Sequence, residues 1–455
     1  MRIVNVKDFP SLEAVRELVV RPDLDEVPVN PAGMERTKQI FGKALTPQES
    51  VAVILGDIKR EGDAGLLRYI DKIDGQKLTS EQLFVGKHEF EQAETMVSPQ
   101  FLEALDTAII NVRKYHQKQV ENSWFAPEAD GIILGQKVTP LDRVGIYVPG
   151  GNAPLISSVV MSAVPARVAG VSEIIMATPL RNGEIDPHLL VAAKRCGVNA
   201  VLKAGGAQAI GALAYGTETV PRVDKIVGPG NLFVTLAKKM VYGRVGIEAL
   251  AGPSEILVIA DGSVPAAYAA ADLLSQAEHD WEASAALITT SEAYAAAVQD
   301  EIEMQLSSLD TSDIAAVALE NWGLIVITEN LNQAVELANV FAPEHLELLV
   351  ENPWELVGRI KHAGAIFLGK YAAEPVGDYI AGPNHILPTN GTARFASPLT
   401  TNDFVKKSSV IYYSEAGLKK FGPQAVEIAD REGLTAHGNA IRIRLQDLEA
   451  GDKHE

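Results

Sequence analysis

From residue 144 onward the chain repeats one pattern, and few folds accommodate it. Short β-branched and apolar runs, VGIYV, EIIMAT, AVLKA, KIVG, EILVIA, AALITT, LIVIT and AIFLG, alternate with alanine-rich stretches of helical character. Strands separated by helical stretches of roughly 10–15 residues argue for βαβ units and parallel sheets. The runs are continuously apolar rather than alternating, so both faces of each sheet are expected to be covered by helices. The fold class is α/β.

The chain has 455 residues, more than one ordinary core accommodates, and two or more domains are expected. Its composition, 47% hydrophobic and 22% charged, is that of a globular protein. Forty Lys and Arg stand against 59 Asp and Glu, a net charge of -19, which repels phosphate backbones and excludes nucleic acid as an expected partner. The N-terminal MRIVNVKDFPSLE has charges and a proline where a signal peptide requires an apolar run. The longest apolar segment, PLISSVVMSAVPARVAGV, is broken by Pro165 and Arg167, so no membrane span is expected. Cys196 is the only cysteine; it rules out an intrachain disulfide and fits the cytoplasm.

Residues 1–40 are charged and punctuated by Pro10, Pro22, Pro28 and Pro31, and read as an arm. Thr46-Pro47 and Ser98-Pro99 each carry the cap and first-turn signature of a helix, and Leu102, Leu105, Ile109 and Val112 then lie on one helical face. Glycine clusters at Pro149-Gly-Gly151, Gly205-Gly206, Gly228-Pro-Gly230 and Gly252-Pro253 mark strand-to-helix turns, where open α/β sheets bind ligands. None spells G-x-G-x-x-G, so a dinucleotide and a plain tight turn both stay open. After residue 398 the chain turns polar, with a helix around PQAVEIADREG and a strand-like NAIRIRL, a tail too small for its own core.

Nine histidines are present; His88, His116, His188, His362 and His454 sit in charged or turn-like settings and are expected at the surface. Four remain. His279 closes LLSQAEHD three residues after Gln276, so the two stack on one face if the helix continues. His345 follows Glu344 in FAPEHLELLV, a pair that reads either as a solvated strand edge or as a proton-transfer couple. Asp378 and His385 share a polar loop rich in glycine and proline. His437 follows a helix whose C′ residue is expected at Gly433. Glu432 opposes the dipole of that helix end, an arrangement a cationic neighbour would relieve. Gln276, His279, Asp378 and His437 form a donor set compatible with zinc, though spacing alone does not join them.

Together RVGIYVPGG, AGGAQAIGALAYGT, DKIVGPGN, AGPSEILVIAD, SQAEHD, APEHLELL, GDYIAGPNHILPT and EGLTAHGNAIRIR resemble the histidinol dehydrogenase family in its own motif order, from about residue 45 to the end. The resemblance implies two parallel-sheet, incomplete Rossmann-like domains with N- and C-terminal arms. Their expected extents are an arm at 1–40, a first domain of 41–146 with 256–398, an inserted NAD-side domain at 147–255, and an arm at 399–455 exchanged in a homodimer. It implies one zinc per subunit on Gln276, His279, Asp378 and the partner's His437. NAD is implied at Tyr147, Gln208 and Asn231, with proton transfer by Glu344 and His345. Ser254, His385 and Glu432 are implied substrate contacts, joined by His345 and the four zinc ligands. The implied reaction is the four-electron oxidation of L-histidinol to L-histidine through histidinal, in the cytoplasm. Relatives with the same core oxidise other polyols such as sulfonated diols, but Glu432 would repel a sulfonate. A zinc hydrolase using Glu344 to activate water is the rival from another class. A binding protein without activity is disfavoured because both Glu344 and His345 are present. Trp281 stands where many relatives have proline.

Overall fold

The computed structural model describes residues 1–19, 31–150 and 154–451, so Pro22, Pro28, Gly151 and His454 lie outside the described residues. Its strands, numbered along the chain, are β1 (Arg2–Asn5), β2 (Trp124–Pro127), β3 (Ile133–Pro140), β4 (Arg143–Tyr147), β5 (Glu173–Thr178), β6 (Ala200–Lys203) and β7 (Lys225–Val227). They continue with β8 (Gly246–Ile247), β9 (Glu255–Ala260), β10 (Ser284–Thr289), β11 (Gly323–Ile327), β12 (His345–Leu349), β13 (Ala365–Leu368) and β14 (Val405–Tyr412). By chain contacts the molecule divides into one unit of residues 1–119 and 141–404 and a second of 120–140 and 405–455.

The larger unit holds two all-parallel sheets. The five-stranded sheet runs β6-β5-β4-β7-β8, and the six-stranded sheet runs β1-β11-β10-β9-β12-β13. Counted by order of appearance, β4 to β8 and β9 to β13 both read 3-2-1-4-5, the doubly wound order without its last strand. The α/β, incomplete Rossmann-like expectation is met. In this order the strand sequence reverses between β4 and β7 in one sheet and between β9 and β12 in the other.

Local chemistry explains the helices that cover these sheets. Thr46 and Glu49 form a reciprocal cap at the start of the helix Pro47–Glu61, with Thr46 Oγ1 accepting from Glu49 N at 3.2 Å and Glu49 Oε2 accepting from Thr46 N at 2.8 Å. Ser98 caps Pro99–His116 in the simpler way, accepting from Phe101 N at 3.1 Å. The helix Ile156–Ala169 is buried almost all round, because it lies inside the core on the other face of the five-stranded sheet. Among the described residues, no helix is long and apolar enough to cross a membrane.

Three expectations change. Residues 2–5 are not part of an arm; β1 pairs in parallel with β11 and extends the six-stranded sheet. The helices of 47–116, expected with residues 256–398, instead supply Val51, Ile54, Leu55, Leu105, Ile109 and Val112 to the cores of the five-stranded sheet. Their apolar faces match the nearest uncovered sheet surface, which sequence order does not reveal. The third concerns NAIRIRL, which is not a strand but lies within the helix Thr435–Gly451. Ile441 and Leu445, four apart and so on one helical face, close on Gly422 of the helix Glu415–Arg431.

The smaller unit pairs β14, β3 and β2 antiparallel and carries the two helices Glu415–Arg431 and Thr435–Gly451. Gly433 separates the helices with φ +74°, the left-handed C′ conformation expected of it. Ile411, Ile428, Leu434 and Ile443 of this unit are exposed.

Candidate active site

β12 is an inner strand, flanked by β9 and β13. Glu344 precedes it and His345 begins it, and both are buried, at 6% and 4% exposure, so the solvated-edge reading fails. Register explains their pose. β12 pairs His345 with Ile256 of β9, which brings both side chains to the peptide groups of Glu255. Glu255 N donates to Glu344 Oε2 at 2.9 Å, and its carbonyl lies 2.9 Å from His345 Nδ1. A carbonyl only accepts, so Nδ1 carries the imidazole proton and Nε2 keeps its lone pair. That Nε2 has no hydrogen-bond partner among the described residues, and stands 3.6 Å from Glu374 Oε1. Burial pushes the His345 pKa down from the ordinary 6.5 to about 4 and holds the imidazole neutral. Burial also raises Glu344 well above the ordinary glutamate range, which favours its protonated form.

Strand periodicity adds a second acid. Glu347 is two residues on and shares the His345 face, fully buried, with its Oε1 accepting from Glu374 N at 2.7 Å. Asp272 hydrogen-bonds to Glu347 from the helix Ala266–Ala277, one turn before Gln276, and burial raises both carboxyls. Glu374 and Asp378 lie four apart on consecutive short helical turns. Burial and the nearby Asp378 charge raise Glu374 to about 9. Burial opposes ionisation of Asp378, but the His385 imidazole, whose Nδ1 is 3.5 Å away, lowers it to about 2. Among the described residues, His345, Glu374 and Asp378 bring one ligand atom each within 4.8 Å of one another.

Gln276 is fully buried, and neither its amide oxygen nor its nitrogen has a hydrogen-bond partner among the described residues. Leaving such an amide unpaired costs about 1–3 kcal/mol, so the position calls for a further group. Its neighbour Ser275 donates to Glu374 Oε2 at 3.4 Å, which ties this helix end to the acidic cluster. The helix closes at Ala277, and His279 N still bonds to Gln276 O at 3.2 Å, so the turn runs on as expected. His279 itself is exposed. Donors of this kind at a helix C-terminus, the negative end of its dipole, suit a cation such as zinc. Ser254 immediately precedes β9, and its carbonyl accepts from Ser284 N at 3.0 Å.

The residues expected on the cofactor side gather elsewhere, at the carboxyl ends of the five-stranded sheet. Tyr147 ends β4, and its hydroxyl accepts from Gly206 N at 3.0 Å. Gln208 sits fully buried in the first turn of the helix Gly206–Tyr215. Asn231 caps the helix Leu232–Val241, accepting from Phe233 N at 3.1 Å and Val234 N at 3.2 Å. Gly228 has φ +116°, and a Cβ there would meet the Tyr147 carbonyl oxygen at 2.1 Å, so this turn requires glycine. Glu432 and His437 belong to the smaller unit and are exposed, Glu432 as the C-cap of Glu415–Arg431.

Sequence reasoning passed over Glu374, Glu347 and Asp272. Their signal was spacing: each lies two or four residues from a residue that was singled out, on the same face of its element. His116 was expected at the surface but is fully buried, its Nδ1 2.6 Å from Gln119 Oε1 and its Nε2 3.5 Å from Asn384 Nδ2, where it braces the loop that carries His385.

Comparison with known proteins points one way. The family profile described as histidinol dehydrogenase matches residues 40–445. A histidinol dehydrogenase of Geobacter sulfurreducens is 53% identical over 400 residues, covering 88% of this chain and 93% of its own. One of Geobacillus kaustophilus is 52% identical over 415 residues, covering 91% and 97%. The crystal structure of histidinol dehydrogenase from Elizabethkingia anophelis superimposes with a TM-score of 0.89 at 36% identity, over 99% of each chain.

Proposed function

The chain belongs to the histidinol dehydrogenase family, enzymes of histidine biosynthesis, and from that premise we propose that it oxidises L-histidinol to L-histidine through histidinal, reducing two NAD. The observation that carries the reading is the fixed tautomer of His345, a buried neutral imidazole whose unpartnered Nε2 faces the acidic cluster. In the first step the substrate hydroxyl gives its proton to His345 Nε2 as hydride leaves the carbinol carbon. In the second, water adds to the aldehyde, the hydrate loses a proton to the same base, and a second hydride leaves. His345 passes each proton it takes to solvent before the next step, and Glu344, its carboxyl raised by burial, gives a proton to the aldehyde oxygen and takes one from the adding water. Cys196 is buried in the core at 3% exposure with its thiol raised to about 12, so a thiohemiacetal on this cysteine is not part of the scheme.

Gln276, His279 and Asp378 with His437 of the partner subunit would hold zinc, which when bound supplies an electrophile that fixes the imidazole and amine of the substrate. Tyr147, Gln208 and Asn231 would bind NAD, the hydride acceptor. Ser254, His385 and Glu432 would contact the substrate, with Glu432 matching its ammonium group. A homodimer with shared sites is supported by the exposed apolar residues of the smaller unit and by the exposure of His437. The single buried cysteine suits the cytoplasm.

Counting NADH formed per L-histidinol consumed, beside a sulfonated diol, tests the reaction. Two are expected for histidinol and none for the diol; a single NADH, or preference for the diol, overturns the assignment. Mixing inactive Gln276→Leu and His437→Asn subunits tests the shared site, since exchange should regenerate intact sites and restore part of the activity. No restoration in a demonstrated heterodimer removes the partner's ligand from the scheme.

A further inference from the structure

Asp74 is an acid that the reaction scheme does not use. It ends the helical turn Ile70–Asp74, far in sequence from the five-stranded sheet, yet its Oδ2 accepts from Gln208 Nε2 at 3.1 Å and its carboxylate also accepts from the Gly205 peptide. The next peptide, Gly206 N, bonds to the Tyr147 hydroxyl. Asp74 thus joins two of the three residues assigned to NAD, at the carboxyl ends of β4 and β6. No lysine or arginine pairs with it among the described residues, and Arg36 acts on it only through its charge at longer range. Burial disfavours its ionised form, so an unpaired acid here has a cost that some partner should offset. Beside it, Gln208 is fully buried and its Oε1 has no hydrogen-bond partner among the described residues.

The corner therefore presents a carboxylate and an unpartnered amide oxygen, and both only accept. A ligand that satisfies them must donate, as the vicinal hydroxyls of a ribose do, and must carry no phosphate at that point. Doubly wound sheets that bind dinucleotides use an acid near a strand's carboxyl end for this purpose. Here a helical turn from earlier in the chain supplies it. Resting on the NAD reading above, we propose that Asp74, supported by Gln208, is the cofactor-specificity residue: it accepts from ribose hydroxyls of the bound dinucleotide and excludes the form bearing a 2′-phosphate.

The test is steady-state reduction of NAD and of NADP by the full-length enzyme with L-histidinol, for wild type, Asp74→Asn and Asp74→Ser. Asp74→Asn preserves shape and an acceptor for Gln208, so it guards against misfolding, which a melting curve checks. Wild type should prefer NAD; both variants should raise KM for NAD and lower the NAD-to-NADP ratio of kcat/KM by about tenfold or more, chiefly with kcat unchanged. Equal losses with both cofactors would mean that Asp74 only braces the Gly205 turn, and an unchanged ratio would likewise overturn the proposal. Wild type that reduces neither cofactor would instead remove the NAD reading on which it rests.

Discussion

The two parallel sheets share one strand order but place their candidate site residues at opposite ends. In the five-stranded sheet, Tyr147, Gly205-Gly206 and Gly228 to Asn231 lie at the carboxyl ends, where helices begin. In the six-stranded sheet, Ser254, Glu344 and His345 lie at the amino ends of β9 and β12, and Gln276 is in the last turn of the helix that returns from β9. Both groups flank the point where strand order reverses. The difference is electrostatic. Helix N-termini and free peptide N–H groups attract anions, which suits a dinucleotide pyrophosphate. Helix C-termini offer carbonyls and negative dipole ends, which suit a metal, an ammonium or an imidazole. One architecture used twice thus presents helix N-termini in one place and a helix C-terminus in the other.

The largest expected effect strikes the amino end of the six-stranded sheet. His345→Asn should lower kcat by about two to four orders of magnitude while zinc content by elemental analysis stays at the wild-type level; unchanged turnover would remove the base. Gln276→Leu at the same end should weaken zinc on the order of a hundredfold, read by competition with a chelator, and full retention after dialysis would detach that helix end from the metal. At the carboxyl end of the five-stranded sheet, Gly228→Ala adds a Cβ that would meet the Tyr147 carbonyl at 2.1 Å at φ +116°. It should destabilise by about 2 kcal/mol or more and raise KM for NAD without changing bound zinc, and a zinc loss instead would blur the division of labour between the sheets.

The smallest effect is a slope. Glu374 is raised from 4.5 to about 9 in the folded chain, chiefly by burial, so the folded state holds a proton that the unfolded state releases. Its contribution to stability is fully present below the unfolded pKa and is lost as pH rises toward about 9. In metal-free protein, Glu374→Gln should therefore flatten the fall in melting temperature between roughly pH 5 and 9, by on the order of a few degrees. A slope identical to wild type would show that Glu374 does not hold that proton.

Much of this was legible beforehand. The alternation of β-branched runs with helical stretches specified parallel α/β units, because both periods follow from backbone geometry. The caps at Thr46 and Ser98 and the left-handed Gly433 were readable because they depend on a few adjacent residues. Residues two and four away from a named side chain could have been read too, since Glu347, Glu374 and Asp272 obey the strand and helix periods. NAIRIRL was misread because alternation of apolar and charged residues describes a strand edge as well as an exposed helix, and only the packing of Ile441 and Leu445 on Gly422 separates the two.

The sequence by itself determined the fold class, the turns and the list of chemically capable residues, all of which rest on interactions within about one helical turn. Tertiary structure alone decided that the helices of 47–116 cover the five-stranded sheet, that β1 joins the six-stranded one, and that His345 is a buried neutral imidazole. Those outcomes depend on which apolar face finds which sheet and on strand register, contacts between residues from 90 positions apart (Glu255 and His345) to 322 apart (Arg2 and Leu324). The tautomer of His345 follows from the Glu255 carbonyl, and its neutrality from the burial that also raises Glu344, neither of which a local pattern encodes.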